Sequence, residues 1–296
     1  MNVTGGRLVA IAAVVVLPAC ASTSVASTPP TVTDPPTTTT EPPTTTIAAA
    51  TTSTEAPETT AAPTTTTTTL PPTTTTTVPK AKAVEPAISA VGTSSGAETL
   101  RAQKRLRQLG FWLQEANGEY DLTTLQAVMA FQKYYGLTTD GVLGEETAAK
   151  MSKRLRMPTS RADAGTLVEI DKGKQLLFFV IDGEIRWILN TSTGSEIPYE
   201  EPDQNTPGEV QTGDSVTRNG LHQVYREREE GWWEGDLGEI YRPKYFTGGI
   251  AVHGSNNVPD YPASHGCVRV SVPAMDWIWA SGIMPLETPV WVHEGG

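Results

Sequence analysis

The residues with chemical potential gather near the end of the chain. Ser264-His265-Gly266-Cys267-Val268-Arg269 follows His253-Gly254-Ser255 by about a dozen positions, and Cys267 is one of only two cysteines. A cysteine is nucleophilic as the thiolate, and a histidine within reach can take its proton. Gly266 beside the thiol permits close backbone approach, and N–H groups there could receive a developing oxyanion. Arg269 lies two residues beyond the thiol. On an extended strand it points to the same side, where it could clamp a carboxylate. The bland alternative for Arg269 is an internal ion pair that only stabilises its strand. His253, His265 and Cys267 are metal-ligand types, but the paired spacings of a zinc site are absent, so no metal and no cofactor is expected. His222 and His293 carry no motif and read as ordinary surface or strand residues.

The elements that must hold these groups are mostly strands. Residues 166–171 alternate, and 175–181 and 184–190 are strand-like runs joined by Asp182-Gly183, a hairpin signal. Further short strands are predicted at 250–253, 268–271 and 290–292. Residues 271–280 predict one helix, with Ser271 as cap, Pro273 in the first turn and Gly282 past its end. Many short strands with one helix give a mostly β fold, a sandwich or barrel. The intervening 213–246 contains Trp232-Trp233 and the charged run 226–230. It reads either as a lid over a cleft or as a segment whose tryptophans belong to the core.

Upstream, 97–157 predicts a small all-α module of three helices. Leu125, Val128, Met129 and Gln132 follow helical spacing, Asp121 is a candidate cap and Gly136 a candidate stop. Leu109-Gly110-Phe111, Asn117-Gly118-Glu119-Tyr120, Ala127-Val128, Phe131-Gln132, Gly136-Leu137, Asp140-Gly141 and Thr147 together resemble the three-helix peptidoglycan-binding domain. The resemblance implies docking on the glycan or peptide of a cell wall. The module has no catalytic constellation of its own. Its removal is therefore expected to weaken wall binding and to spare activity on soluble fragments.

The C-terminal motif resembles the YkuD-type L,D-transpeptidase signature, in which His-Gly-Ser/Thr precedes Ser-His-Gly-Cys-x-Arg. Thr191-Ser192-Thr193-Gly194, Thr206-Pro207-Gly208 and Tyr241-Arg242-Pro243 extend the likeness over 167–292. The Thr-Pro-Gly element is one residue short, and Val210 stands where an aromatic is frequent. The resemblance implies a catalytic β-sandwich in which Cys267 is the nucleophile, His253 the base, and the Gly254 carbonyl orients the imidazole. Ser264, His265 and Gly266 would shape the site, with backbone N–H groups of 265–267 as oxyanion hole. Arg269 and Ser255 would bind the peptide stem. The implied reaction releases a terminal D-alanine, forms a thioester and passes it to an amine, giving a 3→3 crosslink. Trimming of tetrapeptide stems by water, or attachment of a wall protein, uses the same thiol. Carbapenems are implied as covalent inhibitors.

Residues 1–19 read as a signal peptide, with Arg7 ahead of a ten-residue apolar run too short to span a bilayer. Leu17-Pro18-Ala19-Cys20 resembles a lipobox, which implies lipidation of Cys20 and a membrane anchor; simple secretion to the wall is the alternative. Residues 20–96 are rich in Thr, Pro, Ala and Ser, and predict a disordered stalk. The catalytic domain is expected over 162–296. A net charge of −11 excludes a nucleic-acid binder with a basic face.

Overall fold

The computed structural model describes residues 78–295. The expected signal peptide, Cys20 and the stalk up to residue 77 lie outside the described residues.

The three predicted helices form, and the second is capped at both ends. After β1 (Lys80–Ala81), α1 spans Ala97–Gln108, α2 Leu122–Tyr135 and α3 Glu145–Ser152. The Asp121 side chain accepts from the Thr124 N–H, and Gly136 closes α2 in the left-handed conformation. One expectation is corrected. The stalk was predicted to run to Gly96, but 78–96 packs on the helices. β1 pairs with β2 (Leu155–Arg156), the Val84 N–H donates to the Ser152 carbonyl, and Ala81 and Ile88 are buried. The physical signal is in the sequence: threonine runs cease at Thr77, and Val84, Ile88 and Val91 supply apolar surface to bury.

The remainder is a sandwich. β3 (Leu167–Asp171), β4 (Leu176–Ile181) and β5 (Glu184–Asn190) form an antiparallel meander. β6 (Tyr199–Pro202) and β7 (Val210–Gly213) make a separate hairpin. β8 (Gly220–Gln223), β9 (Arg226–Glu227), β10 (Trp232–Gly235), β11 (Gly238–Thr247), β12 (Ile250–Ser255) and β13 (Val268–Ser271) follow, then α4 (Val272–Ser281) and β14 (Pro289–His293). One sheet runs β5-β4-β3-β14-β8; the other runs β10-β11-β12-β13 with β9 on β11. Ser271 caps α4 through the Ala274 N–H, Pro273 is in its first turn, and Gly282 ends it left-handed.

Period-two alternation assigns the faces. Val168, Ile170, Leu177, Phe179, Val290 and Val292 of one sheet meet Phe246, Val252, Val268 and Val270 of the other, with Ala274, Met275 and Ile278 of α4. The opposite face of the first sheet is covered as well. Leu176, Phe178, Val180 and Ile188 share a core with Leu106, Phe111, Val128 and Phe131 of the helical module. That explains Leu176-Leu177-Phe178-Phe179-Val180, an unbroken apolar run rather than an alternation, since a strand covered on both faces is apolar throughout. The two modules are joined by backbone too: the Trp112 N–H donates to the Ile188 carbonyl and the Ile188 N–H to the Gly110 carbonyl. Trp112 reaches past the sheet edge to Trp277 of α4, centroids 5.2 Å apart.

The segment 213–246 is largely β-structure, the strands β8 to β11. Neither tryptophan joins a core cluster. Trp232 is exposed against Tyr241, and Trp233 stands under Arg228.

Candidate active site

The second sheet buries Val252, Val268 and Val270, so the intervening residues His253 and Arg269 face the other way, outward from the core. His253 pairs directly with Arg269 across parallel β12 and β13. Two positions earlier, and so on the same face, the register sets Ala251 opposite Cys267. Thiol, imidazole and guanidinium thus share one sheet face and line one cavity of about 810 Å³.

His253 is 4% exposed, and its Nδ1 lies 2.8 Å from the Gly254 carbonyl oxygen. That oxygen only accepts, so Nδ1 carries the hydrogen and Nε2 keeps its lone pair. This contact is the geometry that the expected orienting role of Gly254 requires. Gly254 also has to be glycine: a Cβ there would sit 2.8 Å from Tyr241 Cδ1 and 3.2 Å from Met275 Cβ. Burial pushes His253 down to about 4; the Arg269 charge adds to this and the Gly254 carbonyl opposes it. Burial pushes the Cys267 thiol up, against the Ala251 N–H and the Arg269 charge. At neutral pH both groups are therefore uncharged. The thiol points toward the Gly249 carbonyl, 3.9 Å away.

The loop before the thiol is held from both sides. Ser264 Oγ donates to the Cys267 carbonyl (2.5 Å) and accepts from the Gly266 N–H (3.1 Å). This narrows one expectation. The Gly266 N–H is taken by Ser264, which leaves the N–H groups of His265 and Cys267 for an oxyanion. Gly266 has φ +126°, a left-handed region that favours glycine, and a Cβ there would meet the Val216 carbonyl at 3.2 Å. The buried stretch Thr191-Ser192-Thr193-Gly194 straps the loop: Ser192 exchanges backbone hydrogen bonds with Arg269, and the Ser264 N–H donates to Thr193.

His265 turns toward the β6–β7 hairpin, where Nε2 lies 3.0 Å from Glu201 Oε1 and the ring meets Tyr199 edge-on. Ser255 lines the cavity, but its hydroxyl donates to the Asn257 carbonyl and accepts the Asn257 N–H, so it builds a turn. Arg269 forms no ion pair among the described residues, which removes the alternative of an internal salt bridge. His222 bonds the Arg218 carbonyl on β8; His293 is buried against Glu169.

Sequence reasoning missed Thr217. Its buried Oγ1 donates to the Gly266 carbonyl (2.7 Å) and accepts from the Gly194 N–H (2.9 Å), joining strap to nucleophile loop. No motif marks it, because its role depends on where a distant turn places it.

A neutral thiol, a neutral imidazole with a free lone pair, and an unpaired guanidinium on one face can take up an acyl group and hand it on. Such a site defines a thiol acyltransferase. Residues 165–292 match the L,D-transpeptidase catalytic domain of YkuD type, and residues 95–151 match a peptidoglycan binding domain. A crystal structure of an L,D-transpeptidase from Xylanimonas cellulosilytica is 43% identical, with a TM-score of 0.61, covering 71% of this chain and 99% of that one. The N-acetylmuramoyl-L-alanine amidase CwlM of Mycobacterium tuberculosis is 35% identical over 71 residues, 24% of this chain and 16% of the relative. A spore cortex-lytic enzyme of Bacillus cereus is 32% identical over 73 residues, 25% of this chain and 28% of the relative. The chain thus spans less than a third of either of these two curated relatives. The identity and coverage shared with the Xylanimonas structure place it plainly: the chain belongs to the L,D-transpeptidase family, with a peptidoglycan-binding domain ahead of its catalytic domain.

Proposed function

We propose that the protein forms 3→3 crosslinks in peptidoglycan through a thioester on Cys267. The observation that carries this is His253 Nε2, free and unprotonated, on the sheet face that also bears Cys267 and Arg269. His253 takes the thiol proton as sulfur attacks the carbonyl after the third stem residue. The N–H groups of His265 and Cys267 receive the oxyanion. The imidazolium returns its proton to the departing amine, the C–N bond breaks and D-alanine leaves. An amine of a second stem then attacks the thioester, gives a proton to His253 and restores the thiol. Arg269 holds the free carboxylate of the donor stem.

The test is incubation of the purified protein with tetrapeptide stem fragments, products read by mass. Crosslinked dimers and a thioester adduct are expected, and both should vanish in Cys267→Ala. Tripeptide alone as product would turn the reading to a carboxypeptidase. Crosslinking by Cys267→Ala would remove the thiol from the reaction. A carbapenem should add once per chain, at Cys267, and not to Cys267→Ala.

The wall-related domains support a place in the cell envelope. Lipidation of Cys20 would tether the enzyme there, and Cys20→Ala should then leave the membrane fraction; unchanged membrane association would refute the anchor.

A further inference from the structure

The charged run 226–230 is unexplained by the reaction just proposed. Its signs alternate from Arg226 to Glu229, and the structure sorts these four by face. Glu227 pairs with Lys244 at 2.7 Å and Glu229 with Arg242 at 3.6 Å. Arg226 and Arg228 turn the other way, toward the cavity that holds Cys267. Arg226 Cζ lies over Tyr245, 3.9 Å from the ring centroid, and Arg228 Cζ over Trp233 at 3.7 Å. Stacking fixes a guanidinium while leaving its N–H edge free to bond an acid. Neither arginine forms an ion pair among the described residues, in a chain whose net charge is −11.

Register gives their place relative to the thiol. Arg226 pairs with Tyr245, and Tyr245 with Ala251. Ala251 precedes the Val252–Val268 pair and so stands opposite Cys267. These residues form one row across the sheet, with Arg226 about three strand spacings, roughly 14 Å, from the thiol. Arg269 lies on the thiol's own strand. Arg269 is displaced from the thiol along the chain and Arg226 across the strands, so the unpaired guanidinium groups lie in two different directions from the nucleophile. The cavity's acids are Asp214, which pairs with Arg218, and Glu234, Asp236 and Glu239 around the β10–β11 turn; among the described residues none forms an ion pair with Arg226 or Arg228.

We propose that Arg226 and Arg228 form a second carboxylate-recognition site, three strands from the thiol and apart from Arg269, which selects donor peptides with an additional free acid on the amino-terminal side of the cleaved bond. This rests on the transpeptidase reading. Allowing for side-chain reach, the span corresponds to about two or three residues of extended peptide. The site acts on substrate placement, so Arg226 and Arg228 are specificity residues rather than reacting groups.

The experiment compares two synthetic tetrapeptide donors, identical except that the amino-terminal-side carboxylate is free or amidated. D-Alanine release and thioester mass are followed for wild type, Arg226→Gln, Arg228→Gln and the double variant. Wild type should prefer the free acid in kcat/KM by about tenfold, the scale of one charge-assisted contact. The double variant should lose that preference through KM, with kcat retained, and turn over the amidated donor as wild type does. Lysine at both positions should restore part of the preference. Equal use of both donors by wild type overturns the site, as does a preference that survives in the double variant. Wild type that releases no D-alanine and forms no thioester with either donor overturns the transpeptidase reading itself, and this site with it. The donor comparison in wild type needs no variant, so misfolding of a variant cannot mask the answer.

Discussion

His253 is neutral because it is buried, and this has a readable consequence. Below its folded pKa the imidazole holds a proton and cannot take one from Cys267. The acid limb of kcat/KM should therefore fall near about 4, well below the ~6.5 of a solvated histidine. A limb near 6.5 would show that another group controls acylation. The same shift acts on stability with a definite sign. The unfolded chain binds this proton from about 6.5 downward, while the folded chain resists it until about 4. Stability from this group is thus complete above the higher value and is lost as pH falls through that window. Arg269 gives the second prediction at this scale. Being unpaired, it should contribute little to the fold and much to substrate binding. Arg269→Ala should lower kcat/KM on stem peptides by roughly ten- to hundredfold, the worth of a charged bidentate contact of ~1.5–3 kcal/mol. Arg269→Lys keeps the charge but loses the planar fork and should recover only part of this. A large fall in melting temperature with intact kinetics would instead make Arg269 structural.

At the scale of elements, the nucleophile loop depends on a strap that contains no reacting group. Thr217 Oγ1 joins the Gly266 carbonyl to the Gly194 N–H, both buried. Thr217→Val keeps the shape and strands two backbone groups. Each orphaned group costs ~1–3 kcal/mol. Lower melting temperature and slower thioester formation are expected together, the second persisting well below the melting transition. Unchanged acylation at low temperature would mean that the loop holds its geometry without Thr217. The proposed carboxylate site of Arg226 and Arg228 belongs to the same scale, since the extended chain of β9 and the residue after it separates the arginines from Glu227 and Glu229 by face.

For the whole molecule, the helical module is part of the catalytic domain's core. Its removal would expose Leu176, Phe178, Val180 and Ile188, all nearly fully buried. At ~1.5–3 kcal/mol for each such side chain the loss is roughly 6–12 kcal/mol. That is comparable with the whole stability of a typical domain, ~5–15 kcal/mol. Deleting residues 78–157 should therefore abolish the cooperative melt and with it activity on soluble stems. The expectation from sequence was the opposite, that only wall binding would suffer. A truncated 162–296 chain that melts cooperatively and forms the thioester would restore that expectation.

The sequence by itself determined the local structure and the groups proposed to react. Caps at Asp121 and Ser271, left-handed glycines at 136 and 282, and alternation in β12 and β13 are short-range effects, legible from neighbours a few residues apart. The same holds for Cys267, His253 and Arg269, because their placement follows from two short strands and one glycine turn. Tertiary structure decided what depends on partners far along the chain. It showed why β4 is apolar on both faces, that 78–96 folds onto the helices, that Ser264 claims the Gly266 N–H, and that Thr217 ties strap to loop. It also set the arginines at 226 and 228, which form no ion pair among the described residues, apart from the paired acids Glu227 and Glu229. An apolar run states that a strand is covered, but not by what. A charge run states that side chains are solvated or paired, but its partners, Lys244 and Arg242, are chosen only when β9 and β11 meet.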